Sequence, residues 1–230
     1  MNFGEKVVHF LNTTELNIQL PSGISVMNPV KENASILNVI EQFYIRYYND
    51  NNLRTMIVGI NPGRLGAGST GIPFTDTKRL EEVCGIRISD LKTHEPSSVF
   101  VYALIDRMGG PKSFYKQFYI TSMSPFGFLQ KNQKGNQVNC NYYDYPELVQ
   151  CLWPFMEYCM QTQLEFGIER EKCFVLGKKN AVYVEKINQK LSLFKEIIVL
   201  EHPRYIMQYK SAFITQYRDD FEGKLKGGHK

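Results

Sequence analysis

The sequence lacks several features that would place it quickly. No run of apolar residues is long enough to span a bilayer, and the first twenty residues, MNFGEKVVHFLNTTELNIQL, have no charged-then-apolar leader pattern. The expected setting is therefore the cytoplasm. Cysteine is scarce and unpatterned. The five residues Cys84, Cys140, Cys151, Cys159 and Cys173 are odd in number and none stand as Cys-x-x-Cys. A disulfide framework, a zinc site and an iron–sulfur site all go without support, and reduced, packed thiols are expected. There is one tryptophan, no internal repeat and no low-complexity tract. Neither charge sign dominates: 27 Lys and Arg against 23 Asp and Glu give +4, which permits a nucleic-acid partner without demanding one.

What remains is an ordinary globular composition. The chain of 230 residues is 43% hydrophobic, with 15 Phe and 14 Tyr, enough for one large α/β domain over 1–230. Within it, 1–50 reads as an N-terminal helical part and 222–230 as a frayed tail.

Four apolar runs, Thr55–Ile60, Phe118–Met123, Lys172–Gly177 and Glu196–Glu201, are nearly continuous rather than alternating. That is the pattern of strands covered on both faces, as in a parallel sheet. Helices are expected between them. Ser35–Tyr48 carries Ile36, Ile40, Phe43 and Tyr47 on one stripe, and Asp76 can cap a helix ending at Gly85. Ser98–Met108 is stopped by Gly109. Asp144, Pro146 and Glu147 open a helix through Cys159, kinked at Pro154. Asn180 can cap Ala181–Leu191, and a last helix covers Tyr205–Arg218. Alternating strands and helices predict a three-layer αβα sandwich with a four-stranded parallel sheet. Ligands on such sheets bind beyond the carboxyl ends of the strands, so the residues after each strand are the ones to read.

After the first run comes Asn61-Pro62-Gly63-Arg64-Leu65-Gly66-Ala67-Gly68-Ser69-Thr70-Gly71-Ile72-Pro73-Phe74. It lacks the Gly-Lys-Ser/Thr ending of a phosphate loop and has no G-x-G-x-x-G followed by a placed acid. A flexible surface loop and a close-approach site for a flat ligand both fit the glycines. The other strand ends carry Ser124-Pro125-Phe126-Gly127, Lys178-Lys179-Asn180 and His202-Pro203-Arg204-Tyr205. A single strand-end histidine is as compatible with a structural hydrogen bond as with catalysis.

Together these loops resemble the uracil-DNA glycosylase superfamily, and within it the single-strand-selective monofunctional branch. Gly59 to Phe74 is similar to that branch's first motif, which reads Gly-Met-Asn-Pro-Gly, a short glycine-containing link, then Thr-Gly-Val-Pro-Phe. Glu201-His202-Pro203-Arg204-Tyr205 resembles its His-Pro motif. The resemblance spans about Met56 to Arg204 and departs at two places. Ser122 stands where the branch has a base-reading Asn, and His-Pro-Arg-Tyr replaces a His-Pro-Ser-Pro-Arg wedge, as in a divergent, second type of the branch found in bacteria.

The resemblance implies a monofunctional, monomeric DNA glycosylase of base-excision repair that hydrolyses the N-glycosidic bond to uracil or a 5-substituted uracil. It implies catalysis by Asn61, holding the attacking water, and by His202, donating to the departing base. Phe74 would stack on the flipped base, Ser122 would face its edge, and the backbones of Ile60 and Gly63 would offer amides. Gly63 replaces a bulkier residue of other branches and leaves room at the pyrimidine C5 position. Arg64, Arg204 and Tyr205 are the expected DNA contacts, with Lys178, Lys179 and Lys210 weaker ones. The chemistry requires no metal or cofactor, and none is expected. A non-catalytic DNA-binding module and a small-molecule N-glycoside hydrolase are the alternatives.

Overall fold

The structure, a computed structural model, describes residues 1–227. The first quarter of the chain forms α1 (Phe3–Thr13), β1 (Ile24–Met27), α2 (Pro29–Glu32), α3 (Ala34–Tyr48) and β2 (Arg54–Gly59). Then come α4 (Ala67–Thr70), α5 (Thr77–Glu82), α6 (Pro96–Arg107), α7 (Gly110–Gln117) and β3 (Phe118–Ser122). A hairpin of β4 (Gly127–Lys131) and β5 (Gln137–Cys140) leads into α8 (Pro146–Leu164) and β6 (Ile168–Leu176). The chain ends with α9 (Lys178–Leu191), β7 (Glu196–Leu200), α10 (Pro203–Tyr209) and α11 (Ile214–Leu225).

The four apolar runs form one parallel sheet in the order β3-β2-β6-β7, with helices on both faces. β2 is buried along its whole length, which is why its apolar residues do not alternate with polar ones. Its register aligns the strand ends: Gly59 pairs with Ser122, Val58 with Val175, and Leu176 with Leu200. The segments that follow therefore converge on one edge.

The exception in β2 is Arg54, buried at its first position. Its guanidinium donates to the Tyr115 and Asn52 carbonyls at 2.7 and 3.1 Å and pairs with Asp50 at 3.0 Å. The rings of Phe3 and Tyr48 lie 4.5 and 4.8 Å from it. A buried cation persists only with such partners, so Arg54 ties α1, α3 and α7 to the base of the sheet.

Several local expectations change. The segment read as helical over 1–50 also contains β1, and β1 joins β4 and β5 in a separate antiparallel sheet. The strand is short and mostly exposed, so no hydrophobic period marks it. Asn180 does not cap α9: Gly177 occupies that position, with φ +95°. Asn180 is buried one turn inside, donating to the Val58 and Leu176 carbonyls and accepting from the Tyr142 hydroxyl at 2.8 Å. Asp144 does not cap α8 either; it braces the preceding turn by accepting from the Asn141 N–H at 2.7 Å. That helix passes Pro154 and runs to Leu164. The last predicted helix is two, α10 and α11, separated at Lys210 and a 3-10 turn over Ser211–Phe213. The tail read as frayed continues α11 and buries Leu225, while 228–230 lie outside the described residues.

Candidate functional site

A cleft of about 500 Å³ opens beyond the carboxyl ends of β2, β3 and β7. Its wall includes Ile60, Asn61, Gly63, Phe74, Ser122, His202, Arg204 and Tyr205. The structure thus gathers eight of the nine main site residues expected from the sequence, and the weaker candidates Lys178, Lys179 and Lys210 do not line the cleft. The ninth, Arg64, is outside: its side chain is exposed, and its main-chain N–H donates to Asn139 Oδ1 at 3.1 Å.

The glycine-rich segment is a packed turn, which decides against a flexible surface loop. Gly63 O accepts from the N–H groups of Gly66 and Gly68 at 3.0 and 2.9 Å, and Thr70 Oγ1 donates to Thr75 O at 2.6 Å. A Cβ on Gly68 would stand 2.8 Å from Gly63 O, and one on Gly66 would stand 2.6 Å from the Glu95 carboxyl carbon. The backbone contact requires glycine at 68, while at 66 the close neighbour is the end of the Glu95 side chain. Gly63 is different, because a Cβ there meets only Asn139 Nδ2, at 3.5 Å. It leaves open space in the cleft.

The turn ends on Phe74, whose φ of +52° is unusual for a bulky residue. Such strain persists only where the surroundings fix it, and it clusters at ligand sites. The Phe74 ring lies under 4 Å from the Cβ position of Gly59 and 5.7 Å, centroid to centroid, from the imidazole of His202.

Asn61 is held from outside its own loop. Its Oδ1 accepts from the Tyr142 N–H at 3.0 Å, and its Nδ2 donates to Cys140 O at 3.2 Å. Tyr142 is itself fixed through its hydroxyl to Asn180, so the end of β2, the β5–α8 connection and α9 form one braced unit.

His202 caps α10. Its Nδ1 accepts from the Arg204 N–H at 3.1 Å, which places the ring proton on Nε2. Burial, helped by the Arg204 charge, lowers its pKa to about 4. At neutral pH the ring is an uncharged donor. Gly177 packs 3.4 Å from His202 Cβ through the position its own Cβ would take.

Ser122 donates its hydroxyl to Ser124 O at 2.9 Å. Its one proton is committed, and its oxygen is left as an acceptor.

The cleft also holds residues that the sequence did not flag: Glu95, Ser97, Asn139, Asn141, Tyr143 and Tyr209. Asn139 lies on β5, within the overlooked small sheet. The turn chemistry of Asn132 and Gly135, whose φ is +78°, could have marked that hairpin. Lys178 pairs with Glu201 at 2.8 Å, and Lys179 lies 4.5 Å over the Tyr143 ring. Neither lines the cleft.

Residues 45–226 match the family model of the uracil DNA glycosylase superfamily. The chain belongs to that superfamily. A solved structure, wild-type SMUG2 from Pedobacter heparinus, is 45% identical over 99% of this chain and 98% of that one, with a TM-score of 0.96. Among curated proteins none matches. The protein is thus a uracil-DNA glycosylase-type hydrolase of base-excision repair, and DNA is its substrate. No helix among the described residues is long and apolar enough to cross a membrane.

Proposed function

We propose that this glycosylase hydrolyses the N-glycosidic bond of uracil, and of uracil bearing a C5 substituent, after the nucleotide is flipped out of DNA, without cutting the strand. The observation that carries the reading is the convergence of Asn61, Phe74 and the uncharged His202 on one cleft.

Bond cleavage leaves an oxocarbenium-like sugar and an anionic base. Such chemistry needs a donor for the anion and a fixed water for the sugar. His202 supplies the Nε2–H to the base oxygen where charge develops. Asn61 positions the water; an amide is no base, so its contribution is placement. Phe74 stacks on the extruded base. Ser122 accepts from the base imino N–H, and it lacks the second donor that an asparagine would offer the carbonyl beside it. The open space at Gly63 admits the C5 substituent, with the Ile60 and Gly63 backbones alongside. Arg204, Tyr205 and Arg64 contact the DNA strand.

The reading includes one domain acting as a monomer in the cytoplasm, a setting with which five free thiols agree. The test is incubation with uracil- and 5-hydroxymethyluracil-containing oligonucleotides, single- and double-stranded, followed by alkaline cleavage at abasic sites. Release of neither base sinks the reading. Strand breaks without alkali sink the monofunctional part.

A further inference from the structure

Glu95 immediately precedes α6, yet its side chain does not cap that helix. It forms part of the cleft wall instead, its carboxyl lying where a Cβ on Gly66 would reach. Its Oε2 is sealed from solvent and has no hydrogen-bond partner. Among the described residues no cation pairs with it.

The neighbouring carboxylate is its opposite. Asp76 accepts from the Arg79 and Glu95 N–H groups and the Ser98 hydroxyl, at 2.9, 2.9 and 2.8 Å. Arg79 and His94 also face it, at 3.2 and 3.4 Å. Burial works against its charge, but those donors and Arg79 outweigh it and hold the Asp76 carboxyl below the usual range. For Glu95, burial first and the Asp76 charge second raise the pKa to about 7, with Arg204 opposing. Two adjacent carboxyls are thus driven apart, one ionised and one still holding its proton near neutrality. That division is typical of working acid groups.

We propose that Glu95 is a DNA-strand contact that works in its protonated form, donating a carboxyl hydrogen from Oε1, the oxygen that is not sealed, to a phosphate oxygen beside the flipped nucleotide. The proposal rests on the glycosylase reading of the cleft. The groups assigned to the base sit at the ends of β2, β3 and β7. Glu95 belongs with Arg204, on the side where α6 and α10 pack together. A phosphate there meets one exposed cation and one neutral donor, and its charge favours the proton on Glu95 still further. The ionised carboxylate would repel it. Asp76, Arg79, His94 and Arg204 are the charged or titratable groups facing this pair. Asp76 stays ionised and His202 stays neutral through the same pH range.

The experiment measures Kd for an oligonucleotide carrying a tetrahydrofuran abasic-site analogue, which offers phosphates but no base and is not turned over. Wild type, E95Q, E95A and H94Q are compared from about pH 6 to about pH 8 at constant ionic strength, with thermal melts to confirm folding. Wild type and H94Q are expected to weaken roughly tenfold across that range, as a group titrating near 7 loses its proton. E95Q, permanently neutral and still a donor, binds tightly and without pH dependence. E95A binds about three- to tenfold more weakly at the acid end and is also flat.

Three results overturn the proposal. One is a wild-type pH dependence that survives in E95A, which reduces Glu95 to packing. Another is loss of E95Q turnover at saturation, which makes it a general base. The third is an E95A penalty confined to strands carrying a non-cleavable 2′-fluoro-deoxyuridine, which moves the contact to the base. If wild type excises no base at any pH, the glycosylase reading has failed, and the abasic-strand affinities still judge Glu95 separately.

Discussion

Asn61 and His202, on the floor of the cleft, are each held by main-chain hydrogen bonds, whereas Tyr205 and Tyr209 on its rim are exposed, with their rings against each other. The floor is reached from the ends of buried parallel strands. The rim is a short exposed helix, with Tyr205 and Tyr209 40% and 63% exposed, and the two rings 5.5 Å apart. Asn61 cannot move without breaking a braced unit, and a rim residue can follow the DNA it meets. Chemistry that needs placement within a few tenths of an ångström belongs on the floor. Contacts to a flexible polyanion tolerate the rim.

The largest expected effect tests the floor. Asn61→Ala and His202→Ala should each lower single-turnover excision by about 10²–10³-fold. Asn61→Ala should also cost about 1–3 kcal/mol of stability, because the Tyr142 N–H and Cys140 carbonyl lose their partner, and urea melts measure this. Equal stability in both variants would break the idea of a braced floor.

Acid should reveal His202 next. Its folded pKa of about 4 lies below the ordinary value of 6.5, so the unfolded chain binds more protons between those limits. Stability is then lost as pH falls through that window. Between about pH 6.5 and pH 5 wild type should lose ~1–2 kcal/mol more than His202→Gln, as read from paired melts. An identical pH response would mean that His202 is not held neutral.

Phe74→Ala should reduce excision by roughly ten- to a hundredfold, the worth of one base stack of about 1–3 kcal/mol. Gly63→Phe should fold normally, since its Cβ position is open, and should place a ring in the cleft. Excision of 5-hydroxymethyluracil should fall at least about tenfold further than that of uracil, in line with the cost of overfilling a packed site. Equal losses for the two bases would deny Gly63 its selective role.

The smallest effects belong to the rim. Arg204→Ala and Tyr209→Ala should each weaken DNA binding by a few-fold and leave turnover at saturation nearly unchanged. Only Arg204→Ala should reduce the slope of log Kd against log salt, by about one. A turnover defect in Tyr209→Ala would erase the distinction between rim and floor.

The sequence made the floor legible and the rim mostly not. β2, β3, the second half of β6 and β7 announced themselves because strand segments covered on both faces are apolar in unbroken runs, and burial is what composition records. Phe74 was found because it stands at a fixed interval from Asn61 along one continuous segment. Asn139, Asn141 and Tyr143 escaped notice because they reach the cleft from β5 and the β5–α8 connection, some eighty residues from Asn61, with no period to mark them. Asn180 was misjudged for a related reason. Asparagine near a helix start favours a cap, and only the packed structure reveals a buried amide binding Val58, Leu176 and Tyr142 instead. Arg64, next to the site in sequence, lies outside the cleft with its side chain exposed, which the sequence did not show.

By itself the sequence determined the parallel sheet, the edge on which function lies, and the residue types offered there, since these follow from local periodicity and strand-end position. Tertiary structure alone decided which groups are charged. His202 is neutral and Glu95 holds a proton near pH 7 because burial and neighbours distant in the chain set the cost of each charge. That cost depends on what surrounds a side chain in three dimensions, and no motif carries it.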